Sequence, residues 1–146
     1  MSLSTDKIIE FQSYIYNEKP DVVILNETWL SKEHLDNEMF PNDTYTVFRL
    51  DRSKRTHPPD PLDPKKFKAR GGGVLIAVKA NIEVETMKIN SKSKAEILSV
   101  SLKNSSTNIC ITTCYRVGTL GEQNLNEIKK HLKNIASIKK YKAHST

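Results

Sequence analysis

The sequence predicts an α+β fold of the α/β-sandwich type, and three observations predict it. Apolar residues recur at helical spacing close to each end of the chain. Several short apolar or alternating runs, rich in Val and Ile, lie between these two segments. Polar, turn-forming segments separate most of the runs, so that consecutive strands can pair as hairpins. Helices packed outside such sheets would complete a layered domain.

The two helices are predicted from their capping residues and apolar stripes. The first begins at Ser4 or Thr5, whose hydroxyl can cap it, and stops before Pro20. Thr119 and Glu122 have the spacing of a capping box and open the last helix. The apolar stripe of this last helix consists of Leu125, Ile128, Leu132 and Ile135.

Six strands are predicted between the helices. The first contains four consecutive apolar residues and is expected to be buried on both faces. The last three are expected to be consecutive antiparallel strands. A short helical turn capped by Ser31 is expected at 31–35. The predicted strands span residues 22–26, 45–49, 74–79, 82–88, 97–102 and 109–114.

Charge is distributed unevenly along the 146 residues, which carry a net charge of +6 and are expected to form one domain, 1–146. Residues 1–48 contain three basic and nine acidic residues, whereas residues 49–70 contain eight basic and three acidic ones. Residues 129–146 contain six lysines and no acid. Two basic segments are typical of proteins that bind a phosphate backbone. Solvated lysines on a loop and a tail are the alternative.

The sequence also bears on location and redox state. It contains no run of about 18 apolar residues and no signal peptide, so an intracellular protein, nuclear or cytoplasmic, with no membrane partner is expected. Cys110 and Cys114 lie on one predicted strand, where they would be about 13 Å apart. Because a disulfide does not span this distance, both cysteines are expected to be reduced.

Glu27 follows the first predicted strand directly. Open α/β sheets bind their ligands at the carboxyl ends of such strands. A single carboxylate there suits Mg²⁺, which keeps several waters and takes only one or two protein carboxylates. From these residues alone, a solvated loop acid is the alternative.

Residues 52–70 form a basic, proline-rich loop that is longer than the ~12–15 residues usual in compact domains. Such a loop is either functional or disordered. Gly71, Gly72 and Gly73 follow it and give a conformationally permissive entry to the next strand. They form either a hairpin corner or a close approach to a phosphate backbone. The glycine pattern fits neither nucleotide-binding fingerprint, so no nucleotide cofactor is expected.

The order of these segments resembles the endonuclease/exonuclease/phosphatase superfamily, and most of all the apurinic-type endonuclease domain of non-LTR retrotransposons. The resemblance spans residues 7–138 and rests on four runs: Asn26-Glu27-Thr28, Arg70-Gly-Gly-Gly, Glu96–Leu102 and Tyr115-Arg116.

The resemblance implies a site. Glu27 would hold a divalent metal, Mg²⁺ or alternatively Mn²⁺, and Tyr115 would lie beside the scissile phosphate as the catalytic residue. Asn26 and Thr28 would support Glu27 with hydrogen bonds. The expected nucleic-acid contacts are Arg70, Arg116, Lys65, Lys66 and Lys68.

The chain departs from this family at both ends. The family's opening strand with its metal-site Asn, its Gly-Asp-Phe-Asn strand and its terminal Ser-Asp-His have no counterpart in the sequence. The expectation is therefore a partial two-sheet sandwich with outer helices, from a truncated Mg-dependent endonuclease (hydrolase) domain of a retrotransposon-like element, inactive alone. Its partners would be DNA, or alternatively RNA, and the rest of a polyprotein if the frame is longer. The alternative function is a non-catalytic basic DNA- or RNA-binding module.

Overall fold

The structure is a computed structural model. It describes residues 5–41, 43–52, 61–63, 71–88, 95–104, 106–115 and 121–138. Most of the basic loop predicted at 52–70 therefore lies outside the described residues.

Three helices and six strands form in the described part of the chain. The helices are α1 (Thr5–Glu18), α2 (Asp36–Met39) and α3 (Gly121–Ser137). The strands are β1 (Val22–Asn26), β2 (Tyr45–Leu50), β3 (Val74–Lys79), β4 (Val84–Thr86), β5 (Glu96–Leu102) and β6 (Ile109–Tyr115).

The described strands form two antiparallel sheets, with the orders β1-β3-β2 and β4-β5-β6. This arrangement confirms the predicted α+β sandwich and the predicted pairing of the last three strands in chain order. The first sheet differs from the prediction in one respect. β1 runs antiparallel to β3, so Glu27 does not lie at the end of a parallel strand, as in an open α/β sheet.

The first core lies between α1 and the first sheet. Val23 on β1 packs there with Ile15 of α1 and with Phe40. Val22 and Ile24 point to the other face of β1, and Ile24 is 48% exposed. The prediction that β1 is buried on both faces is therefore wrong. The reason is sheet order, because β1 is an end strand of its sheet in the described part of the chain.

The second core lies between the two sheets. Ile76 and Val78 of β3 pack there against Val100 and Leu102 of β5. β3 is the central strand of its sheet, and its residues 74–78 are at most 1% exposed. β3 is thus buried on both faces, unlike β1.

The outer face of β5 contacts α3 through polar side chains. Ser99 is fully buried, and its hydroxyl lies 2.7 Å from Thr112 Oγ1 and 2.9 Å from Nε2 of His131 on α3. Burial lowers the pKa of His131. Two residues of the predicted α3 stripe, Leu125 and Leu132, stay 37% and 48% exposed. The packing of α3 is therefore more polar than its sequence predicts.

The local predictions at 31–35 and 82–88 have different outcomes. A turn forms at residues 31–34, where the His34 N–H donates to the Ser31 carbonyl at 3.0 Å and the Glu33 N–H donates to Ser31 Oγ at 3.4 Å, and the short helix α2 follows it. The Ser31 and His34 carbonyls also accept hydrogen bonds from the Arg49 guanidinium, at 2.6 and 2.9 Å. The strand expected at 82–88 is shorter and spans only Val84–Thr86.

Two further features follow from the described residues. Cys110 and Cys114 are free thiols, as expected. The described helices include none with the length and apolar character needed to span a bilayer.

Candidate active site

Glu27 and Tyr115 meet where the two sheets face each other. Glu27 follows the last residue of β1, and Tyr115 is the last residue of β6. The Tyr115 hydroxyl donates a hydrogen bond to Glu27 Oε1, although the two residues are 88 positions apart in the sequence. The structure therefore brings together the two residues that the resemblance selects as metal ligand and phosphate neighbour.

The backbone around Glu27 is strained. Glu27 and Trp29 have φ values of +55° and +56°, in the left-handed region that non-glycine residues rarely adopt. Two backbone hydrogen bonds hold this segment against the glycines. The Thr28 N–H donates to the Gly73 carbonyl at 3.3 Å, and the Trp29 N–H donates to the Gly72 carbonyl at 3.0 Å. Strain of this kind is typical of functional sites, where the surrounding structure holds it in place.

The environment of Tyr115 keeps its hydroxyl protonated. The hydrogen bond to Glu27 raises the pKa of Tyr115, and burial raises it further. The nearby positive charge of Arg52 lowers it, but the net direction is upward. At neutral pH the phenol is thus a hydrogen-bond donor, which is the form that can contact a phosphate oxygen.

Asn26 and Thr28 lie on either side of Glu27, at the end of β1 and in the segment after it. Asn26 Oδ1 accepts a 2.5 Å hydrogen bond from Thr113 Oγ1, which ties β1 to β6. Thr28 is buried, and its Oγ1 accepts a hydrogen bond from the Leu30 N–H at 3.5 Å. The side-chain hydrogen bonds shown for these two residues therefore support the backbone around Glu27, not the Glu27 carboxylate itself.

Sequence reasoning missed a buried ion pair beside this site. Glu96 is 1% exposed, and its Oε1 accepts a 2.8 Å hydrogen bond from Arg52 Nε. Glu96 Oε2 accepts a 2.6 Å hydrogen bond from the Gly73 N–H. The Arg52 Cζ atom lies 5.7 Å from the centroid of the Tyr115 ring. The available signal was a carboxylate at the start of a strand that alternates apolar residues with serines, since a buried acid needs a partner.

Gly72 and Gly73 make room for the side chains of this site. A Cβ atom at Gly72, where φ is +67°, would overlap the Arg52 guanidinium. A Cβ atom at Gly73, where φ is +85°, would lie 2.5 Å from Thr28 Oγ1. The glycines therefore allow close packing within the protein.

Several predicted residues cannot be assigned to this geometry. Among the residues that the structure describes, no group of three or more His, Cys, Asp or Glu side chains is arranged to hold a metal. The expected nucleic-acid contacts Lys65, Lys66, Lys68, Arg70 and Arg116 lie outside the described residues.

A groove of about 590 Å³ lies elsewhere, at the opposite end of β1 and β3. It contains none of the residues of the Glu27 site. Lys19 and Lys79 are its only charged lining residues, and the rest of its surface is largely apolar and aromatic. Its lining residues are Ile15, Tyr16, Lys19, Pro41, Thr44, Tyr45, Lys79, Ala80 and Asn81. The convergence of polar groups marks the Glu27 end of the sheets as the candidate active site.

The strain at Glu27 gives a testable expectation. Glu27→Gly and Glu27→Ala both remove the carboxylate, but only glycine adopts a positive φ without steric conflict. We expect the Gly variant to be more stable than the Ala variant by about 1 kcal/mol. Urea unfolding of both variants, followed by the fluorescence of the single tryptophan, measures this difference. A Gly variant less stable than the Ala variant would contradict the strain, because glycine loses about 0.5–1 kcal/mol more than alanine in conformational entropy on folding.

Comparison with known proteins supports the fold. No protein-family model matches the chain, and no curated protein sequence does. Two crystal structures resemble it, each with 16% sequence identity and a TM-score of 0.58: humanised D. rerio TDP2 carrying 14 mutations, and D. rerio TDP2 complexed with a single-strand DNA product. The matches cover 92% and 93% of this chain but 53% and 50% of those structures. The chain thus spans about half the length of the structures it matches. It therefore has the α+β sandwich fold of these structures, as found in endonuclease/exonuclease/phosphatase domains.

Proposed function

We propose that this chain is part of a divalent-metal-dependent domain that cleaves phosphodiesters in DNA, or alternatively in RNA. The contact between the Tyr115 hydroxyl and Glu27 Oε1, made across the two sheets, is the observation that carries the proposal. A neighbour of the same fold, D. rerio TDP2, has been crystallised with a single-strand DNA product. An origin in an endonuclease of a retrotransposon-like element is the finer proposal, and it rests on the sequence resemblance.

Glu27 is the residue that would hold the metal. Its side chain is exposed, and a carboxylate oxygen suits Mg²⁺ or Mn²⁺, which accept one protein carboxylate together with waters. When bound, the ion would supply charge stabilisation at the phosphoryl oxygens. Asn26 and Thr28 would fix the backbone on either side of Glu27 through their bonds to Thr113 and Leu30.

Tyr115 would act on the phosphate directly. Its phenol is protonated at neutral pH, as the ordinary tyrosine pKa of about 10 already ensures and the raised pKa maintains, so it can donate a hydrogen bond to a non-bridging phosphate oxygen. Lys65, Lys66, Lys68, Arg70 and Arg116 are proposed to bind the flanking backbone, since neutralised phosphates release counterions.

We infer that residues 1–146 form an incomplete domain. Ile24 on β1 and Ile109 on β6 lie on the inner faces of their sheets, as do Val22 and Ile111, which pack between the sheets. Ile24 and Ile109 nevertheless remain 48% and 51% exposed. The sandwich is thus open along the side formed by β1 and β6 in the described structure, and the Glu27 site lies at the end of this side. The rest of the domain, supplied by a longer polyprotein, would be needed for activity.

A non-catalytic basic module that binds DNA or RNA is the second candidate. The net charge of +6 favours it. The two functions differ in what they require of Glu27. A binding module needs no metal at this residue, whereas a phosphodiesterase domain does.

Terbium luminescence tests the proposed metal site, because the single tryptophan, Trp29, lies two residues from Glu27 and can sensitise a bound ion. We expect Tb³⁺ emission under tryptophan excitation that Mg²⁺ competes away. Glu27→Gln should weaken Tb³⁺ binding by at least about tenfold. Glu10→Gln, which neutralises an exposed acid on α1, should leave it unchanged. Equal emission from the two variants would favour the binding module.

Nicking of supercoiled plasmid in Mg²⁺ then tests the incompleteness of the domain. We expect no nicking by residues 1–146 alone. Nicking that is lost both in EDTA and in Glu27→Gln would contradict the inference, because a working site would then exist without further chain.

A further inference from the structure

The buried pair of Arg52 and Glu96 joins three parts of the molecule. Arg52 follows β2, Glu96 opens β5, and Glu96 Oε2 accepts the N–H of Gly73 in front of β3. The Arg52 and Glu96 side chains are only 10% and 2% exposed. Burial of two charges is unfavourable unless their geometry and hydrogen bonds compensate. Because such a pair need not add to stability, its neighbours indicate what it arranges.

The most significant neighbour is Tyr115. Glu96 and Tyr115 are direct partners across the β5–β6 ladder. The Arg52 guanidinium lies over the Tyr115 ring at 5.7 Å from its centroid, within the range of a cation–π interaction. The absence of a side chain at Gly72 leaves the space that the guanidinium fills. The tyrosine ring is therefore fixed by a cation whose own orientation is set by a carboxylate.

We propose that the Arg52–Glu96 pair is a positioning device for Tyr115. Glu96 orients Arg52, the guanidinium holds the aromatic ring, and the ring keeps the phenol hydroxyl at Glu27. Arg52 is a positioning residue and not a phosphate contact, because its side chain is 10% exposed and its Nη2 atom is buried. The catalytic consequence rests on the function proposed above, whereas the placement of the ring does not.

Fluorine NMR on the full chain labelled with 3-fluorotyrosine tests the proposal. The chain has five tyrosines, and Tyr115→Phe identifies the resonance of Tyr115. The informative variant is Arg52→Met/Glu96→Gln, which removes both charges and so leaves no lone buried charge. We expect the Tyr115 resonance to move towards the shift of free 3-fluorotyrosine and to narrow as the ring gains freedom. The Tyr45 resonance should stay in place, because Tyr45 packs against Phe40.

A matched control removes a different ion pair. Lys79 Nζ lies 2.9 Å from Asp21 Oδ1 at the far end of the first sheet. Asp21→Asn/Lys79→Met should leave the Tyr115 resonance unmoved. An unmoved Tyr115 resonance in folded Arg52→Met/Glu96→Gln would overturn the proposal, as would an equal movement in the control.

A second variant provides the test if Arg52→Met/Glu96→Gln does not fold. Arg52→Lys keeps both charges and the contact of Glu96 with the Gly73 N–H, but it replaces the planar guanidinium that lies over the Tyr115 ring. The Tyr115 resonance must move in this variant too, and an unchanged resonance would overturn the proposal. These spectra are recorded without metal. Failure of Tb³⁺ binding at Glu27 would therefore contradict the proposed function and leave the positioning result intact.

Discussion

Replacement of Glu96 by alanine is expected to lower the free energy of unfolding by about 3–5 kcal/mol, because it leaves the buried Arg52 charge without its partner. The Gly73 N–H also loses its acceptor in this variant. A buried donor without a partner is itself destabilising by about 1–3 kcal/mol. The predicted loss is thus large compared with the total stability of a small domain.

Urea unfolding followed by Trp29 fluorescence measures the loss at Glu96. The matched control is Asp21→Ala, which breaks an ion pair whose acidic side chain is 74% exposed. Exposed pairs contribute little to stability, so this variant should behave almost like the parent. Similar losses in both variants would show that the Arg52–Glu96 pair is not dehydrated.

Replacement of Gly73 by alanine is expected to lower stability by about 2–4 kcal/mol, for two separate reasons. The φ of +85° strains any residue with a Cβ atom. The added carbon would also lie 2.5 Å from Thr28 Oγ1, and overpacking of this kind is destabilising by about 1–3 kcal/mol. Both effects disturb the turn at Gly73. This turn supports the backbone beside Glu27, because the Gly73 carbonyl accepts a hydrogen bond from the Thr28 N–H.

Two further variants separate strain from overlap at Gly73. Gly71→Ala places an alanine at a φ of +100°, but the new Cβ atom would come no closer than 3.6 Å to Trp29. The stability loss of this variant therefore measures backbone strain alone. Thr28→Ala/Gly73→Ala removes the overlapping oxygen and should recover part of the loss relative to Gly73→Ala. Identical losses at Gly71 and Gly73 would rule out overlap with Thr28 as a cause.

The elements that the sequence predicted well are those decided by local pattern. The apolar run of β3 and the alternation of β5 are visible in the residues themselves, and the strands form there. The pairing of the last three strands followed from the polar turns between them. The meeting of Glu27 with Tyr115 was expected only from the family resemblance, because no local pattern relates two residues 88 positions apart.

The features that escaped prediction depend on sheet order and on contacts between distant segments. β1 and β3 are both apolar runs, and only the order β1-β3-β2 determines which of them is central and covered on both faces. Arg52 and Glu96 are 44 positions apart. Periodicity indicates that Glu96 opens a strand, but it does not indicate which cation neutralises the carboxylate in the interior.

The long separation of Glu27 and Tyr115 has a consequence for the order of folding. The hairpin of β5 and β6 joins residues close in sequence, whereas the contact between the ends of β1 and β6 closes a much longer loop, with a larger entropy loss. Contacts that are distant in sequence form slowly. The site is therefore expected to assemble only when the two sheets dock. A ligand that binds it would stabilise the docked sandwich as a whole, by about 2.7 kcal/mol at a concentration of 100 times its Kd.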